Sequence, residues 1–187
     1  MTALILLDLQ QGILNRFEGT DAYLSRVLVA LDAARAAGTN IIHVRTCFRP
    51  GHPDISRRNA TGGKVAQFGG FVEGDVAVEF SSTTAPKGEE IVVTKRRVSA
   101  FGGSDLDAVL RGLDVHKLVI LGVATSGAVL STVRQAADLD FDLAVLVDLC
   151  FDPDEEVHRV LVEKVFPRQG RTLNSEKWIQ ELKSNAT

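Results

Sequence analysis

The stretch 117-KLVILGVATSGAVLSTVRQAADLD-140 restricts the fold more than any other part of the chain. An apolar run, Leu118 to Val123, gives way to Gly122-Val123-Ala124-Thr125-Ser126-Gly127 and then to helical spacing at Val129, Val133 and Ala136/Ala137. That pattern is a buried strand passing through a tight turn into a helix, and in an open parallel sheet ligands sit at such carboxyl ends. The first turn of the helix is expected to offer free N–H groups and a partial positive charge, which suit a thiolate, an oxyanion or a substrate carboxylate. The turn is therefore the expected active-site corner.

The same alternation repeats along the chain. Ala3 to Leu7 is an apolar strand ending at Asp8, and Gln10, Gln11 and Gly12 mark a turn. Thr20 and Asp21 precede a helical stripe, Leu24, Val27, Leu28, Leu31 and Ala34, which Gly38 closes. Asn40 to Val44 is a second strand and Ile91 to Thr94, ending at Lys95, a third. Between them, residues 47 to about 72 lack a clear pattern and suggest a lid or specificity segment. Ser104-Asp105-Leu106-Asp107 looks like a capping box opening a helix. Leu143 to Val147 is a fifth strand ending at Asp148, and Asp152-Pro153-Asp154-Glu155-Glu156 predicts a helix start with Asp152 as cap and Pro153 at the first position. A short strand at 171–173 and a helix holding Trp178, Ile179 and Leu182 complete the chain. Continuous apolar strands alternating with helices predict an α/β fold, a parallel sheet covered on both faces. Right-handed crossovers would bring Asp8, Lys95 and residues 124–128 to one edge.

Composition excludes several function classes. A chain of 187 residues with 45 % hydrophobic content fits one domain spanning 1–187. A net charge of −3 without a dense Lys/Arg block argues against nucleic acid or an anionic membrane as the main partner. No apolar run approaches the ~18 residues of a membrane span. The apolar start, without a basic region before it, reads as a strand rather than a secretory signal. Cys47 and Cys150 are too few for a disulfide framework, so reduced thiols and a cytoplasmic location are expected.

Leu6-Leu7-Asp8-Leu9-Gln10, then Lys95 followed by Ser99-Ala100-Phe101, then Gly122-Val123-Ala124-Thr125 heading a helix, resemble the isochorismatase-like hydrolase superfamily, also called the cysteine hydrolases. The match runs in order along nearly the whole chain. The resemblance implies a single domain with a six-stranded parallel sheet and helices on both faces, a homo-oligomer (dimer or tetramer), and a cis peptide in the turn between Val123 and Ala124. It also implies a catalytic set of aspartate, lysine and cysteine. Asp8 and Lys95 match the first two, but the cysteine position is Ala128, which cannot attack a carbon. Isochorismatases proper are similar in lacking that cysteine, with the aspartate acting as an acid, although Thr125-Ser126-Gly127-Ala128 does not reproduce their motif.

The expected reading is a hydrolase of a small organic acid or amide-like metabolite, cofactor-free, using Asp8 and Lys95 as an acid/base and electrostatic pair. The alternatives are a catalytically silent ligand-binding or assembly relative, and a Cys-to-Ala variant of a thiol amidohydrolase. Expected substrate contacts are Phe101, Val123, Ala124, Thr125, Gly127 and Arg49, with Arg57 and Arg96 as further parts of a cationic rim. Ser126 reads as a helix cap, Cys47 and Cys150 as packing, His43 as a satisfied core residue, and His116 and His158 as surface positions. Relatives that bind a metal do so after strand two, where this chain offers only His52 and Asp54, so no metal is expected.

Overall fold

The computed structural model describes residues 1–185. Six strands, β1 (Thr2–Leu7), β2 (Asn40–Thr46), β3 (Ile91–Lys95), β4 (Lys117–Val123), β5 (Asp142–Phe151) and β6 (Arg171–Leu173), form one parallel sheet in the order β3-β2-β1-β4-β5-β6. Helices α1 (Gln11–Leu14), α2 (Thr20–Ala36), α3 (Ala60–Phe68), α4 (Leu106–Gly112), α5 (Leu130–Asp138), α6 (Glu155–Val160) and α7 (Ser175–Asn185) connect or flank the strands.

The period-two geometry of each strand sends alternate side chains to opposite faces. Ala3, Ile5 and Leu7 pack with Ile42, Val44, Leu106, Leu110 and Val133 on one face. Leu4 and Leu6 pack with Val27, Leu31, Val119, Leu121 and Trp178 on the other. Both sides are apolar because both are covered, which is why the strands read as unbroken apolar runs.

Strand order reverses between β1 and β4, so the crevice at their carboxyl ends is the natural ligand site of such a sheet. Gly122 makes the close approach there possible. Its φ is +137°, and a Cβ at this position would collide with the Leu7 carbonyl oxygen. The residue after Leu7, Asp8, itself lies in the left-handed region at φ 56°, and its N–H donates to Val44 O at 2.9 Å.

Several local expectations change. β1 and β3 are not neighbours; β2 lies between them, so Asp8 and Lys95 face each other across the end of a third strand. The segment after β2 contains α3, capped by Asn59, whose side chain accepts from Gly62 N–H. α3 buries none of its residues, and Phe68 is 85 % exposed. β5 runs past Asp148 to Phe151, and Asp148 instead accepts from Ser175 N–H and Oγ at the start of α7. The cap of α6 is Asp154, which accepts from Val157 N–H, leaving Pro153 outside the helix. Ser104 accepts from Leu106 N–H, but no box closes, because Asp107 turns outward to Arg111. The Val123–Ala124 peptide is cis.

Candidate active site

Strand register determines what meets at the sheet's carboxyl edge. Leu7 pairs with Val44 and with Gly122, and Thr46 pairs with Lys95. The residues just past these pairs, Asp8 and Val123–Ala124, therefore converge with Thr46 and Lys95. Asp8 Oδ2 lies 2.9 Å from Lys95 Nζ. Nζ also donates to Thr46 Oγ1 at 2.8 Å and to Arg97 O at 3.1 Å, which occupies its three donors. Thr46 Oγ1 in turn donates to Asp8 Oδ1 at 3.2 Å.

The pair is almost wholly shielded: the Lys95 and Asp8 side chains are 2 % and 6 % exposed. Burial pushes the Asp8 carboxyl above its ordinary value, opposed by the charge and hydrogen bond of Lys95 and the hydroxyl of Thr46. A carboxyl raised in this way exchanges protons closer to neutrality than a solvated one.

Gln10, fully buried, holds this edge in place. Its Oε1 accepts from Thr46 N–H at 2.8 Å while its Nε2 donates to Thr46 O at 2.9 Å and to Val78 O at 3.0 Å. Both backbone groups of Thr46 are thus pinned by one amide. In the sequence Gln10 reads only as a turn marker and as the end of the run Leu6-Leu7-Asp8-Leu9-Gln10, and Thr46 does not stand out. The strand order was the missing signal, since only it places the end of β2 between the aspartate and the lysine.

A cavity of ≈ 270 Å³ opens above the pair. Asp8, Thr46 and Lys95 contribute to its lining, and Val123, Ala124 and Ala128 bring the β4 turn to it. The remaining wall is largely apolar, with Ile13 and Phe17 from the α1 region and Phe48, Ile55, Val65 and Phe71 from the segment after β2. Three arginines, Arg16, Arg96 and Arg97, also reach it. Arg16 sits over the Phe71 ring at 5.4 Å from its centroid, and Arg97 Nη1 donates to the carbonyls of Asp54 and Arg96. Arg96 is different: its Nε and Nη1 are buried with no hydrogen-bond partner, and the nearest carboxylates, of Asp54 and Glu73, stand 3.8 and 3.9 Å from its nitrogens.

Of the expected site residues, Asp8, Lys95, Arg96, Val123, Ala124 and Ala128 share this cavity, and five others do not line it. Phe101 packs on Phe141, ring centroids 6.1 Å apart, on the core side of the sheet. Thr125 is fully buried, and its Oγ1 shares a 2.8 Å hydrogen bond with His158 Nδ1, so His158 is not a free surface group. Gly127 N–H is taken by Ala124 O at 3.0 Å. Arg49 is paired with Asp54 and its side chain is 62 % exposed. Arg57 is likewise exposed and does not line the cavity.

At the helix start, Ser126, Gly127 and Val129 spend their N–H groups within the chain. The backbone after Ala124 makes one wide π-helical turn, Thr125–Val129, before α5. The carboxylate of Asp152, itself 7 % exposed, accepts from Ser126 N–H at 2.7 Å. Ser126 caps nothing with its side chain. Val129 N–H, like that of Gly127, turns to Ala124 O.

The thiols lie away from this chemistry. Cys150 is buried and its pKa is pushed up to about 12 by that burial, and burial also raises Cys47, whose Sγ donates to Phe48 O. His52 and Asp54 are both engaged, with Gly70 O and with Arg49. Among the described residues no group of three or more His, Cys, Asp or Glu side chains converges as a metal site.

Comparison with known proteins agrees with this architecture. The Isochorismatase domain profile matches residues 2–177. An uncharacterized isochorismatase family protein of Bacillus subtilis (strain 168), YwoC, is 29 % identical over 185 residues, covering 97 % of this chain and 94 % of that protein. The ureidoacrylate amidohydrolase RutB of Stutzerimonas stutzeri (strain A1501) is 31 % identical over 169 residues, 79 % of this chain and 68 % of that one. The solved structure of an isochorismatase family protein from Burkholderia thailandensis superposes with a TM-score of 0.86 at 23 % identity, covering 97 % of this chain and 95 % of that chain. With the profile spanning almost the whole sequence and the same sheet recurring in a solved structure, the chain belongs to the isochorismatase family.

Proposed function

We propose that this protein hydrolyses a small organic acid carrying an amide-like group, with Asp8 moving the proton and Lys95 fixing the charge, and with oxygen rather than sulfur as nucleophile. The observation that carries the reading is the buried Asp8–Lys95 pair, 2.9 Å apart, at a cavity that Ala128 also lines. A carboxyl raised by burial takes a proton from an attacking O–H and returns it to a leaving nitrogen. Ala128 adds only a methyl group, so a thioester cannot form there.

The acid part of the substrate follows from Arg96. Arg96 brings to the cavity a guanidinium whose carboxylate partners, Asp54 and Glu73, come no nearer than 3.8 Å, and a planar substrate carboxylate is a fitting closer partner. The largely apolar cavity wall suits a short carbon skeleton between the two ends. The relative from Stutzerimonas stutzeri, named for ureidoacrylate, agrees in class.

The test is a panel of small carboxylate-bearing amides and ureides, with isochorismate alongside, followed by mass spectrometry in wild type and Asp8→Asn. Turnover that falls by roughly 10²–10⁴-fold in Asp8→Asn supports the reading. Turnover unaffected by the change, or saturable ligand binding with no turnover of any compound, moves the assignment to a ligand-binding member of the family. The loss of the thiol at Ala128 is the observation that favours this second reading.

A further inference from the structure

Resting on the hydrolase reading, we propose that the nucleophile is the hydroxyl of Thr46, activated by Asp8 and Lys95, and that the reaction passes through an ester on that side chain. Three observations place it in this role. Its Oγ1 already donates to Asp8 Oδ1 at 3.2 Å, the contact a nucleophile needs with its base. The same oxygen accepts from Lys95 Nζ at 2.8 Å, and a cation there stabilises the developing alkoxide character. Its backbone is pinned on both sides by Gln10, so the hydroxyl is held on a rigid strand end rather than on a loop.

Competing hydroxyls are worse placed. Thr61 lies on α3, which buries none of its residues, and Thr125 is turned away into its bond with His158. The two thiols are held protonated by burial. Thr46 is the lining hydroxyl in contact with both members of the pair.

The steps balance. Oγ1 forms a bond to the substrate carbonyl carbon while its proton passes to Asp8. The C–N bond then breaks, the leaving nitrogen takes that proton, and the acyl group remains on Thr46. Water attacks the ester and gives a proton to Asp8. The C–Oγ1 bond breaks and Asp8 returns the proton to the Thr46 oxygen, releasing the acid. No oxidant, reductant or further reactant is required.

The experiment uses the full chain and 4-nitrophenyl acetate as an acylating probe, quenched in acid and mapped by peptide mass spectrometry. The proposal expects an initial burst of nitrophenolate and an acetyl group on Thr46. It further expects Thr46→Val to lower kcat/KM for the amide substrate by roughly 10³-fold or more, while Thr46→Ser keeps both adduct and turnover. The wild-type adduct map needs no variant to fold. Absence of an acetyl group on Thr46, or turnover in Thr46→Val equal to wild type, overturns the proposal. If Thr46→Val keeps the turnover that Asp8→Asn loses, water is the nucleophile and the Asp8 reading survives alone. If neither change affects turnover, both readings fall.

Discussion

Arg96 is the cavity arginine with the loosest pairing to its own chain. Its guanidinium reaches the cavity, where Nε and Nη1 make no hydrogen bond and the carboxylates of Asp54 and Glu73 stay 3.8 and 3.9 Å away, while its neighbour Arg97 spends Nη1 on backbone carbonyls. Removing Arg96 strands no buried charge, because Asp54 keeps Arg49 as a partner and Glu73 is 63 % exposed, so the side chain is expected to matter more for recognition than for folding. Arg96→Met is therefore expected to leave the denaturant midpoint unchanged or raise it. The same change should raise KM for carboxylate-bearing substrates by roughly 10–100-fold, the worth of a charge-assisted hydrogen bond of about 1.5–3 kcal/mol. Urea melts and steady-state kinetics on the one variant check both halves. A drop in stability with KM unchanged would make Arg96 a structural residue and remove the argument for an acidic substrate.

At the scale of elements, the turn from β4 into α5 is held by groups remote in sequence. Asp152, just beyond β5, accepts from Ser126 N–H, and His158, in α6, bonds Thr125. Asp152→Ala leaves the Ser126 N–H without its acceptor and is expected to cost about 1 kcal/mol, as at other helix starts. It should also lower kcat, because Ala124 and Ala128 form one wall of the cavity and move with this turn. Thermal melts and kinetics read the two effects, and Asp152→Asn, which keeps an acceptor oxygen, should restore most of both. The existence of the strands, though not their order in the sheet, was legible in the sequence because all but the short β6 hold a continuous apolar run, and Asp8, Lys95 and the β4 turn stood out as strand ends. What was hidden depended on pairing across the chain. Asp152 looks like the cap of its own helix, yet Asp154 takes that role and frees Asp152 for a turn 26 residues away. Phe101 follows Lys95 closely, but the backbone turns it into the core against Phe141. Arg49 and Gly127 lie close in sequence to lining residues, but Arg49 is spent on Asp54 and the Gly127 N–H on Ala124. Thr46 required the strand order itself.

For the molecule as a whole, acid stability is expected to depend strongly on Glu90, whose cluster lies outside the cavity lining. Glu90 accepts from Arg35 Nε and Nη2 at 2.6 and 3.0 Å, from Lys87 N–H at 2.9 Å, and contacts His43 Nε2 at 2.8 Å. Burial alone would raise Glu90, but the hydrogen bonds of Arg35, Lys87 and His43 outweigh it and bring its pKa down to about 2 from 4.5. A carboxylate depressed on folding gives stability that is complete above its unfolded value and is lost as pH falls from 4.5 towards 2. His43 is also lowered, by burial against the opposing pull of Glu90, so the unfolded chain takes up its proton first and stability begins to fall below 6.5. Asp8 runs the other way, since a raised carboxyl favours the folded state as it becomes protonated. Asp54 and Glu181 are lowered as well, by hydrogen bonds from Arg49 and Arg171, so Glu90 carries part of the acid limb, and its shift, opposite to that of Asp8, lets mutation separate the two. Glu90→Gln should flatten the loss of stability below pH 4.5 and cost about 2 kcal/mol at neutral pH, allowing for its partial exposure. Asp8→Asn leaves the buried Lys95 cation without its carboxylate, so it is expected to lower stability at neutral pH while leaving the Glu90 limb in place. Urea midpoints from pH 3 to 8 for the three proteins test this. An acid limb that persists undiminished in Glu90→Gln would mean that the carboxylates responsible lie elsewhere, and that the Arg35–Glu90–His43 cluster serves packing rather than charge.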